Sequence, residues 1–164
     1  MHYRCQIIIW ELAHLKGRRL LSPPTLVAKQ TCEFPISVLR FSPYENNRLV
    51  SCGTENIRFW RIKNGHLPGC PVILNEYARN AKFTDLAFDQ LYGTHPTTVK
   101  HRPVFVSSMA GTVLSVDYDT MELNCVYKLH DGPIHALSVN EGFCVTGSED
   151  HYLVGTYHYP PNLT

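Results

Sequence analysis

Thr146, His130 and Asp150 supply a hydroxyl, an imidazole and a carboxylate, the three side-chain types of a nucleophilic triad. That chemistry also needs the hydroxyl presented on a sharp turn beside an oxyanion hole, and the chain has no G-x-S-x-G elbow to provide it. The three residues therefore read as buried polar groups that satisfy one another's hydrogen bonds. No catalytic residue is predicted, and an enzyme is not expected.

The other chemistry-bearing residues lead the same way. His95, His101, His130, His135, His151 and His158 form neither H-E-x-x-H nor a Cys/His pairing at finger spacing, so no metal ligand is predicted. Neither G-x-x-x-x-G-K-[ST] nor G-x-G-x-x-G occurs, which argues against a phosphate cradle, and no cofactor is expected. Lys16-Gly17-Arg18-Arg19 is too short to be a stand-alone anionic-partner patch and reads as a solvated loop. Ser22-Pro23 has the form of a proline-directed phosphorylation site, and Asn162-Leu163-Thr164 that of a glycosylation acceptor, which has meaning only in a secreted chain. Net charge is +1 with a pI near 7.7, so no overall field draws in nucleic acid or anionic lipid. Cys5, Cys32, Cys52, Cys70, Cys125 and Cys144 form no C-x-x-C pair, and several fall in apolar runs as small hydrophobes. With no secretory signal legible, they are expected to be reduced thiols of an intracellular chain. The early run Ile7-Ile8-Ile9-Trp10 stops at Glu11, far short of the ~20 residues of a membrane span.

The elements that must position these residues show themselves as a repeat. Ile36-Ser37-Val38-Leu39-Arg40-Phe41, Phe83-Thr84-Asp85-Leu86-Ala87-Phe88 and Ile134-His135-Ala136-Leu137-Ser138-Val139 share one pattern and start about 50 residues apart, the length of a four-stranded propeller blade. Each leads through turn residues into a second strand, at Arg48 to Cys52, Val104 to Ser108 and Phe143 to Gly147. Third strands follow at Ile57 to Ile62 and Thr112 to Asp117, and fourth strands at Val72 to Tyr77 and Cys125 to Leu129. Leu39, Leu86 and Leu137 take one repeat position, Phe41, Phe88 and Val139 another, and Ser51, Ser107 and Thr146 a third. A blade buries its faces only by stacking, so the core is expected between blades, with Trp10 and Trp60 as packing anchors. After Leu153 the pattern fails, with Gly155 and Pro160-Pro161 where a third strand should finish.

Ile36 to Pro43, Asn56-Ile57-Arg58-Phe59-Trp60, Leu129-His130-Asp131-Gly132-Pro133-Ile134 and Thr146-Gly147-Ser148-Glu149-Asp150 resemble the WD-repeat family. The resemblance implies that His130, Thr146 and Asp150 join a strand-c Trp in a structural hydrogen-bond network, although Leu129 replaces the family's Gly and no Trp follows Leu153. Within the family, the wording of Lys29 to Arg79 and of Val104 to Leu153 is most similar to a large multi-propeller scaffold of the centriole wall involved in making cilia. That implies a noncatalytic scaffold in the cytoplasm and cytoskeleton, with protein partners that are centriolar or microtubule-associated. The alternative is a WD-type adaptor in another complex, microtubule-associated or recognising substrates for a ubiquitin ligase.

The fold expected is all-β, built of WD40-type blades. Residues 1–35 read as the remnant of a preceding blade with a basic, Pro-containing insertion, 36–80 and 81–129 as blades, 130–153 as the start of a third, and 154–164 as a divergent tail. Closed propellers use about four to eight blades, so these cannot close a ring alone, and the remaining blades of a longer chain are expected to cover the open faces.

Overall fold

The computed structural model describes residues 4–12, 15–16, 19–20, 23–89 and 102–157. His95, His101, His158, Gly17, Arg18, Ser22 and the Asn162-Leu163-Thr164 acceptor lie outside the described residues. Alternating side chains and turn residues at strand ends produce a chain of antiparallel meanders. The first complete sheet joins β5 (Ile36–Phe41), β6 (Arg48–Gly53), β7 (Ile57–Arg61) and β8 (Gly69–Pro71) in sequence order. The second joins β9 (Phe83–Phe88), β10 (Pro103–Ser108), β11 (Thr112–Asp117) and β12 (Leu123–Lys128), and the third joins β13 (Ile134–Asn140), β14 (Phe143–Ser148) and β15 (Leu153–Tyr157). Ahead of them β1 (Cys5–Glu11) pairs with β4 (Thr25–Cys32), and the short β2 (Leu15–Lys16) and β3 (Arg19–Leu20) form a hairpin between the two. Among the described residues these sheets are propeller blades that form no closed ring.

The core sits between sheets. Ile7, Ile9 and Ala28 of the β1–β4 sheet pack with Leu49 and Trp60 of the first blade. Val50, Ile57 and Phe59 on the opposite face of that blade pack with Leu86, Phe88 and Val104 of the second, and Phe105 and Val113 of the second pack with Leu137 and Val139 of the third. The richest junction surrounds Tyr118, a wholly buried ring with Phe59 at 5.6 Å and Tyr44 at 5.0 Å in edge-on geometry. The Arg102 guanidinium caps the same ring at 4.7 Å.

Four expectations need correction. The fourth strand of the first blade lies at Gly69–Pro71, while Asn75–Ala78 forms a 3-10 turn where Val72 to Tyr77 reads as a strand. Val72 and Leu74 do alternate inward, but Asn75 adopts φ 49° and turns the chain out of the ladder. The tail after Leu153 does form a third strand, because the free edge of β14 supplies ladder partners from Phe143↔Tyr157 to Gly147↔Leu153. Leu39 pairs with Ser51 and Leu137 with Thr146, but Leu86 pairs with Val106, which leaves Ser107 one residue out of the repeat alignment. A one-residue offset reverses the face, and Ser107 instead meets the Thr84 hydroxyl at 2.9 Å. Finally, Leu39, Phe41 and Trp10 are exposed, whereas Leu86, Phe88, Leu137, Val139 and Trp60 are buried as anticipated. The β1–β4 sheet packs on Leu49 and Trp60, and among the described residues no strand covers Leu39 and Phe41 of β5.

Candidate functional site

Three elements build the polar cluster of the third blade. His130 sits in the loop before β13, Thr146 in the middle of β14, and Asp150 in the turn after it. The turn at Gly111 fixes that loop, since its carbonyl accepts the N–H groups of both Leu129 and His130. Gly111 has φ +74°, and a Cβ there would lie 2.1 Å from the His130 carbonyl oxygen. Gly111→Ala is therefore expected to cost at least about 3 kcal/mol, against about 1 for Gly65→Ala, measured by chemical denaturation. Gly65 shares the left-handed backbone, with φ +81°, but nothing lies within 4 Å of its Cβ position.

His130 Nδ1 lies 2.9 Å from Asp150 Oδ2, and Nε2 lies 2.8 Å from Thr146 Oγ1. An ionised carboxylate accepts, so Nδ1 carries a proton and donates; in the neutral ring Nε2 then accepts from the Thr146 hydroxyl. This is the connectivity of a triad, but Thr146 is wholly buried and His130 nearly so. No substrate carbonyl can approach that hydroxyl, and the cluster ties the loop before β13 to β14. Burial acts to raise the Asp150 pKa, but the N–H of Tyr152, the His130 ring and the N–H of Asp131 outweigh it and hold the carboxyl below its ordinary value. A carboxyl lowered on folding stabilises the fold above its unfolded pKa, and that contribution is lost as pH falls through the lowered value. Unfolding midpoints are thus expected to drop below a pH of about 4, and Asp150→Asn to remove that part of the acid limb.

A second cluster joins the inner strands of all three blades. Arg40 on β5 donates from Nε to the Leu86 carbonyl at 2.7 Å and from Nη2 to Asp85 Oδ1 at 2.8 Å, and Asp85 Oδ2 accepts the Leu137 N–H of β13 at 3.2 Å. Further along, Tyr44 Oη donates to the Asp89 carbonyl at 2.6 Å, and Asp89 Oδ2 accepts the Gly142 N–H at 3.1 Å. These strands line an open groove of about 510 Å³ with Leu39, Phe41, Leu86, Phe88, Leu137 and Val139 along it.

In the first blade, Trp60 Nε1 donates to Ser51 Oγ at 2.8 Å, so the Trp–hydroxyl half of the family network is present there and the His–hydroxyl–acid half in the third blade. His135 bonds Glu149 at 2.7 Å on the exposed surface, apart from the cluster, and no group of three His, Cys, Asp or Glu residues suited to a metal occurs among the described residues. Cys32, Cys52 and Cys144 are buried, and burial pushes the Cys52 thiol up to about 12. Cys70 is exposed, and no described helix is long and apolar enough to cross a membrane. The Arg40–Asp85–Leu137 seam and the Tyr118 ring were not legible as functional positions. The available signal was an acid in mid-strand at Asp85, a residue type depleted in strands unless something binds it.

No protein-family model matches the chain. It is 30% identical over 172 residues to WD repeat-containing protein 90 of Xenopus tropicalis, covering 93% of this chain and 9% of that protein. It is 32% identical over 165 residues to Centriole proteome protein 16 of Chlamydomonas reinhardtii, covering 92% and 8%. The chain thus spans about a tenth of the length of the curated relatives it matches. Among solved structures, it overlays the β-propeller domain of Myceliophteria thermophila Cps50 (Swd1) with a TM-score of 0.69 and 12% identity, covering 97% of this chain and 48% of that one. The computationally designed Ika4 protein gives 0.60 at 21% identity, covering 81% and 72%. Stacked four-stranded meanders and the divided Trp–Ser and His–Thr–Asp bonds give this chain a WD40-type β-propeller fold, and along nearly its whole sequence it is similar to WD-repeat proteins.

Proposed function

We propose that the chain is a noncatalytic protein-interaction module of a scaffold that builds the centriole wall and supports cilium assembly. The observation that carries this reading is similarity over more than nine-tenths of the chain to a protein named for the centriole proteome and to WD repeat-containing protein 90. The burial of Thr146 supports the noncatalytic part, since the triad-like arrangement of the third blade is closed to substrate. Protein partners in the tubulin-rich lattice and a cytoskeletal, centriolar location follow from the same similarity. Proximity labelling from the tagged chain in ciliated cells tests it, with centriolar proteins enriched over a cytosolic control. A neighbour set devoid of them would overturn the assignment.

A further inference from the structure

The ladders put four side chains of the first blade on the face turned toward the second. Arg48 lies opposite Arg61 and Phe59 opposite Cys70, and alternation places both pairs on the side of Val50, which packs with Leu86 and Phe88. Phe59 is buried against Tyr118, but β8 has only three residues where β12 has six, and beyond it the junction is left open. Met121, in the turn between β11 and β12, forms the opposite wall of a groove of about 440 Å³. Phe59 is the floor, and the rim carries Arg48, Arg61 and Lys63 beside the exposed Cys70, with no acidic residue lining it.

Two features of this groove work against stability. Arg48 and Arg61 are like charges directly opposite each other on neighbouring strands, a destabilising pairing. Glu45 is their shared counter-ion, 3.1 Å from Arg48 Nε and 4.0 Å from Arg61 Nη2, and Lys63 has no ion pair among the described residues. The rim is therefore left positive. Met121 is the second feature, since its φ of 60° lies in the left-handed region that glycine or asparagine fills at least cost. A flexible thioether at that position gives the groove an adaptable apolar wall. Arg48 is held ready, its guanidinium 5.4 Å from the centre of the Tyr118 ring.

We propose that this groove docks an acidic peptide segment of a partner protein, which seats one large apolar side chain between Phe59 and Met121 and sets its carboxylates against Arg61 and Lys63. Charge complementarity selects that occupant. The stretches of this sequence outside the described residues contain no Asp or Glu, so none of them supplies the complement. Further blades of a longer polypeptide would stack on the β1–β4 and β13–β15 sheets, whereas both walls of this groove belong to complete four-stranded blades. A polyanion without apolar side chains meets the rim but leaves Phe59 and Met121 wet, and a net charge of +1 offers it no wider field. The inference stands on the groove alone and does not rest on the centriolar assignment.

Fluorescence anisotropy tests this, with a fluorescein-labelled peptide of glutamates on both sides of a single phenylalanine titrated with the 164-residue chain. Saturable binding is expected, weakened about tenfold when the peptide's phenylalanine becomes alanine and severalfold when salt rises from about 50 to about 300 mM. Lys63→Glu is expected to weaken it about fivefold. Lys82→Glu, an equal change of charge beside Thr54 at the other end of β6 from Arg48, is expected to leave it unchanged. Both lysines are exposed, and matching circular dichroism verifies that the variants fold. No saturable binding at low salt, an alanine peptide that binds as well as the parent, equal losses from Lys63→Glu and Lys82→Glu, or single-stranded DNA bound more tightly than the peptide would each overturn the proposal.

Discussion

Leu86→Ala is expected to lower the stability of the chain by about 3 kcal/mol, and Leu39→Ala, the same repeat position one blade earlier, by less than about 1. The two leucines have the same chemistry, the same strand type and the same pairing geometry. What differs is the neighbour. Leu86 is wholly buried against the first blade beside Val50 and Phe59, so truncation forfeits the transferred methyl groups and leaves a cavity. Leu39 is 38% exposed, with no strand covering it among the described residues, so water fills the space the side chain vacates. Paired urea titrations with unchanged slopes check the contrast. Equal losses would mean that stability resides within sheets rather than between them.

Asp85→Ala is expected to cost about 2 to 3 kcal/mol, because one carboxylate holds three strands in register. Its loss leaves the N–H groups of Leu86 and Leu137 without their acceptor. The Arg40 bond contributes little of this, since the guanidinium side is 48% exposed and solvent screens it. Asp85→Asn retains one acceptor oxygen and is expected to recover about half the loss. Chemical denaturation gives the magnitudes. Hydrogen exchange at Leu137 supplies the local reading, with faster exchange in Asp85→Ala than in Leu39→Ala.

How far the sequence reveals these features depends on whether they are set by one strand or by two. The inner strands at 36–41, 83–88 and 134–139 are legible because alternation and flanking turns are local properties. The first blade's outer strand is not, since its apolar alternation at Val72 and Leu74 persists while the backbone leaves the ladder at Asn75. β15 is hidden by Gly155 and the following prolines, and it forms because an unpaired neighbour overrides weak propensity. Ser107 aligns by residue type but not by register, which is a property of pairing with β9 that no single strand carries. Most of the third-blade cluster is legible, because His130, Thr146 and Asp150 sit at spacings that turns and one ladder bring together. The exposure of Trp10 is not, because burial of a strand end depends on what lies beside it.

The central claim is that separate sheets are bound into one structure by the side chains between them. A double-mutant cycle joining Phe59 of the first blade to Tyr118 of the second tests it most directly, since their rings meet edge-on across the junction at 5.6 Å. Phe59→Leu and Tyr118→Leu, singly and combined, are predicted to give a coupling energy of about 1 kcal/mol. Losses that add to within about 0.3 kcal/mol would contradict the account.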